Sequence, residues 1–193
     1  LVSIPLAVVV GLALFAADAD SPETQRFFAY GKTPSSGLIE VTLETTMPAA
    51  RAKYTLHADG RLLIHRYQLA GGEARLEDTL EAALGLEELE LVAKDVVDSG
   101  LATYDPVEAA NRLKPDPRGL SMGSEPMLIR FQLTLDYLAE GSGPAHEPFK
   151  NEFSFSAPPD VLVRAFPNEP VYASFDRLLK KFGTLAKSAR RVE

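Results

Sequence analysis

Residues Ala52 to Leu69 read Ala-Lys-Tyr-Thr-Leu-His-Ala-Asp-Gly-Arg-Leu-Leu-Ile-His-Arg-Tyr-Gln-Leu, two alternating runs on either side of Ala58-Asp59-Gly60. Two turns can join them, and the side chains choose between them. A two-residue turn at Asp59-Gly60 groups Leu62 and Ile64 with His57 and leaves neither face apolar. A three-residue turn, with Gly60 in the left-handed conformation that only glycine adopts freely, gathers Tyr54, Leu56, Leu62 and Ile64 on one face. The three-residue turn is therefore expected. The opposite face, with Lys53, Thr55, His57, Arg61, Leu63 and His65, faces water.

The same period of two extends in both directions. Upstream, Ile39, Val41 and Leu43 alternate with Glu40, Thr42 and Glu44, which reads as a half-buried strand. Downstream, Gly71-Gly72 makes a turn, and Glu73 to Ala83 reads as a third strand or an early helix, with strand favoured. Leu86 to Ser99 changes period: Leu89, Val92, Ala93, Val96 and Val97 form a helical stripe opposite Glu87, Glu88, Glu90, Lys94, Asp95 and Asp98. Asp105-Pro106-Val107-Glu108 is a capping box with proline at the first helical position, and it starts a short helix. Met127 to Leu138 and Pro148 to Ala157 alternate again as strands, and a last helix runs from about Glu169 to Lys187, capped by Asn168. The expected fold is α+β: a mostly antiparallel β-sheet of about five or six strands packed on one face by two helices, preceded by an N-terminal hydrophobic helix. One domain spans residues 37–187, after a linker over 20–36 and before a basic tail over 188–193.

The first segment stands apart from everything after it. Leu1 to Ala17 is apolar except for Ser3, and Ala17-Asp18-Ala19 has the small-x-small form that a signal peptidase reads. Residues 1–19 are therefore read as a signal peptide or a membrane anchor, and the domain as periplasmic or secreted; the membrane is involved only if the segment stays uncleaved. The chain of 193 residues has no cysteine, which excludes a disulfide scaffold, a thiolate metal site and a cysteine nucleophile. A net charge of −7 argues against nucleic acid as partner. That charge is uneven, since Arg177, Lys180, Lys181, Lys187, Arg190 and Arg191 face only Glu193 at the C-terminal end.

Several residues invite a chemical reading. Gly119-Leu120-Ser121-Met122-Gly123 has the form of a hydrolase nucleophile elbow, with Asp136 and His146 following in triad order, but the elbow needs a strand entering the serine and a helix leaving it. Here a Pro-rich stretch precedes Ser121 and a strand follows, so a glycine-rich loop is the expected structure. His57 and His65 share the wet face but stand about 13 Å apart, too far to share a metal ion. The acidic pairs Glu77-Asp78 and Glu87-Glu88, with Glu81, read as solvated faces. No cofactor or metal is expected. The stretch from Ala102 to Pro126 is long for a compact domain, and connections of that kind are often functional. Pro115, Asp116, Pro117, Arg118 and Gly119 are taken as the partner-binding residues.

Leu86-Glu87-Glu88-Leu89 opening a helix after a hairpin, an aromatic-rich strand pair, and Phe166-Pro167-Asn168-Glu169-Pro170 leading into the last helix occur in a fixed order. That order resembles emfourin-type inhibitors of thermolysin-like metallopeptidases over about Gly37 to Leu185. The resemblance implies a non-enzymatic, protein-binding activity and carries no individual site residue with it. The functional expectation is an exported protein-binding domain with peptidase inhibition as its activity. The alternatives are a small serine hydrolase using Ser121 and an envelope structural protein that docks through its basic C-terminal helix.

Overall fold

Gly60 closes the hairpin that organises the sheet. In a computed structural model, which describes residues 37–46, 49–57, 59–71, 73–114, 127–135, 149–155 and 157–192, its φ is 83°. Its N–H donates to the His57 carbonyl at 3.0 Å. Leu56 then pairs with Leu62, Tyr54 with Ile64 and Lys53 with His65, as the three-residue turn requires. The Gly60 carbonyl also accepts from the Leu84 N–H at 2.9 Å, tying the turn to the end of the fourth strand.

Among the described residues seven antiparallel strands form one sheet: β1 (Gly37–Thr46), β2 (Ala49–His57), β3 (Arg61–Ala70), β4 (Glu73–Ala83), β5 (Met127–Leu135), β6 (Phe149–Phe155) and β7 (Arg190–Arg191). Their spatial order is β6-β5-β1-β2-β3-β4-β7, so β5 lies between the edge strand β6 and β1. Glu73 to Ala83 is a strand throughout. The seventh strand lies in the stretch expected to be a basic tail, where Arg190 pairs with Glu81 and Arg191 with Leu80. Two residues cannot display a period of two, so no pattern marks them in advance.

Among the described residues two long helices, α1 (Leu86–Asp98) and α4 (Pro170–Ser188), cover one face as expected, and two short ones, α2 (Pro106–Arg112) and α3 (Pro159–Ala165), accompany them. α3 lies outside the elements expected from the sequence, although Pro159 in its first turn is a helix-start signal. The cap of α4 is Glu169 rather than Asn168, and its side chain makes no capping hydrogen bond. α1 starts at Gly85, whose N–H donates to the Glu88 carboxylate at 3.2 Å. The core lies between the two layers. Ile39, Val41, Leu56, Leu62, Ile129, Phe131 and Leu133 from the sheet meet Phe175 and Phe182 from α4, all fully buried. The rings interlock: Phe131 stacks on Phe153 at 4.8 Å and meets Phe175 edge-on at 5.8 Å, and Tyr54 stacks on Phe182 at 5.7 Å. Among the described residues no helix is long and apolar enough to cross a membrane. The segments read as signal or anchor and as linker, residues 1–36, lie outside the described residues.

Candidate functional site

Pro115, Asp116, Pro117, Arg118 and Gly119 lie outside the described residues, as do Ser121, Asp136 and His146. Both ends of the long connection are nevertheless defined. On its approach, the Asn151 side-chain amide donates to the carbonyls of Ala102 at 2.9 Å and Tyr104 at 3.1 Å, fixing the chain against the edge strand β6. The Tyr104 and Tyr172 hydroxyls meet at 2.9 Å inside a ring cluster with Phe153 and Phe155. The Asp105 carboxylate accepts from the N–H groups of Val107 and Glu108, capping α2. At the far end of α2, Arg112 pairs at 3.0 Å with Glu169, a carboxylate that is itself only 7% exposed. The connection re-enters the fold at Met127, the first residue of β5, between β1 and β6.

The tyrosine pair is a structural lock. Burial, followed by the bond to Tyr172, pushes the Tyr104 phenol well above its ordinary range, so it stays protonated at neutral pH and cannot serve as a base. Removing one hydroxyl leaves the other buried without a partner, which costs about 1–3 kcal/mol. Tyr104→Phe should therefore lower stability by about that amount in urea unfolding, while Tyr104→Phe with Tyr172→Phe should recover most of it. A double variant that simply added the two losses would show that the hydroxyls do not interact.

A second feature lies on the face that the helices leave open. A shallow cleft of about 210 Å³ is lined by Thr42, Glu44, Arg51, Lys53, Tyr67 and Arg130, with Leu128 at its side. Arg51 donates two hydrogen bonds to Glu44, at 2.8 and 3.0 Å, and Lys53 pairs with Glu40 at 2.8 Å. Among the described residues Arg130 meets no carboxylate.

No family model matches the chain, and no curated protein matches it.

The remaining candidate residues have other roles. His57 and His65 lie on one face of the hairpin as expected, but His57 is buried rather than wet. It sits beside Gly37 at the start of β1 as well as next to the turn, and both its ring nitrogens are without a partner among the described residues. No three His, Asp or Glu side chains gather to hold a metal among the described residues. Asp78 is bound by Arg66, and Glu88 by Lys181 at 2.9 Å. The hydrogen bonds from those cations hold both carboxyls below their usual range. A general acid needs the opposite shift. The basic helix is largely neutralised, since Arg177 pairs with Asp95, Lys180 with Asp176 and Lys181 with Glu88.

Proposed function

We propose that the chain is an exported, non-enzymatic protein-binding domain that inhibits a peptidase, and that it grips its partner through the connection between α2 and β5. The observation that carries this reading is the fixed root of that connection: contacts of Asn151, Tyr104 and Arg112 hold the stretch from Ala102 to Arg112 to the rest of the fold, and β5 receives the other end. Recognition loops work this way, with variable residues displayed from a rigid base so that little ordering entropy is lost on binding. The exported location is supported by the Leu1 to Ala17 apolar run and the Ala17-Asp18-Ala19 site.

The experiment compares the full chain with a chain lacking Pro115 to Gly123, using a thermolysin-type metallopeptidase as target. The deletion should weaken inhibition at least about tenfold, a loss of about 1.4 kcal/mol. The melting temperature should hardly change, because loop length affects stability only slowly. Undiminished inhibition by the deleted chain would place the contact elsewhere.

A further inference from the structure

We infer that the cleft on the open face of the sheet is a second contact site, which receives the carboxylates of an extended acidic segment of the partner. This inference rests on the reading of the chain as a binding domain, but not on the α2–β5 connection.

The first support is charge. The protein as a whole carries a net charge of −7, yet Arg51, Lys53 and Arg130 converge on one cleft. A large polyanion would be repelled by the acidic body, whereas a short acidic segment needs only the local field. The second is register. Thr42 of β1 stands directly between Lys53 of β2 and Arg130 of β5, and Arg51 is two residues from Lys53 on the same face. Residues two apart on a strand are separated by about 6.6 Å, so the Arg51–Lys53 spacing matches that of alternate acidic side chains in an extended segment.

The third support is that the cleft already takes carboxylates of its own. Glu44 is held by Nε and one terminal nitrogen of Arg51 and Glu40 by Lys53, leaving Arg130 as the cation with no carboxylate among the described residues. Tyr67 and the 38% exposed Leu128 flank these charges with apolar surface for the intervening side chains.

The test is an NMR titration of the ¹⁵N-labelled full chain with a hexaglutamate peptide at low salt, and with hexalysine as control. Shifts should concentrate at the amides of Thr42, Lys53 and Arg130. Arg130→Glu should weaken the peptide about three- to tenfold, and Arg130→Gln by less, at unchanged melting temperature. Glu44→Gln should tighten it by about two- to threefold, because it releases Arg51 from its internal carboxylate. A purely structural role for these residues would not produce that gain. Equal shifts with hexalysine, or indifference to Arg130→Glu, would overturn the inference. So would self-association of the full chain that Arg130→Glu abolishes, which would make a second copy the occupant. If peptidase inhibition survives while hexaglutamate fails to bind, the cleft is wrong and the inhibitory reading stands.

Discussion

Replacing Phe131 by alanine should destabilise the domain by about 3–5 kcal/mol, the range for truncating a fully buried aromatic ring. Phe131 is 0% exposed and lies where β5, β6 and α4 meet. Its ring touches Phe153 at 4.8 Å and Phe175 at 5.8 Å, and these are themselves held by Phe155 at 5.3 and 5.1 Å. Neighbours fixed in this way cannot collapse into the space left behind, so the cavity term adds to the lost transfer free energy. Natural domains are stable by only about 5–15 kcal/mol, which makes this loss a large fraction of the whole. Urea unfolding should show the midpoint falling with little change in slope. Val107→Ala, at a position 69% exposed on α2, should change stability by less than about 0.5 kcal/mol. Comparable losses for the two variants would contradict the layered core.

Replacing Gly60 by valine should cost about 3 kcal/mol or more, for two separate reasons. At φ 83° a β-branched residue is strained by about 1–3 kcal/mol. A Cβ there would also stand 2.6 Å from the Leu84 carbonyl oxygen, a backbone atom that can move only by disturbing the hydrogen bond from Leu84 to Gly60. Gly71 separates the two effects. Its φ is 62°, but a Cβ on it would meet nothing within 4 Å. Gly60→Ala should therefore destabilise clearly more than Gly71→Ala in the same unfolding assay, the excess being the clash. Equal losses would mean that the turn relaxes and that its contact with Leu84 is unimportant.

The hairpin was legible because its two registers divide the same side chains so differently. Only one of them puts Tyr54, Leu56, Leu62 and Ile64 together, and burial enforces that choice. The long helices were legible for the same reason, since Leu89, Val92 and Ala93, and likewise Val171, Phe175 and Phe182, are buried stripes at helical spacing. Contacts made between distant elements left no local trace. Tyr104 and Tyr172 are far apart in the chain, and nothing in either neighbourhood marks them as partners. Glu169 stood in the sequence only as the approximate start of the last helix, and nothing near it signals that it is buried against Arg112. Alternation assigned His57 to a face without saying how near Gly37 would come to it. Arg130 lies in a run that alternates as a strand, but its place across Thr42 from Lys53 depends on β5 pairing with β1, two elements separated by most of the domain. Local patterning thus specified elements and faces, whereas the candidate contact surfaces arise from strand order.

Inhibition by the proposed binding domain is tested by titrating a thermolysin-type metallopeptidase with the purified full chain, following both peptide hydrolysis and the integrity of the chain. A stoichiometric loss of peptidase activity is expected, with the chain left uncut. Peptidase activity unaffected at any concentration, or steady cleavage of the chain as an ordinary substrate, would contradict it.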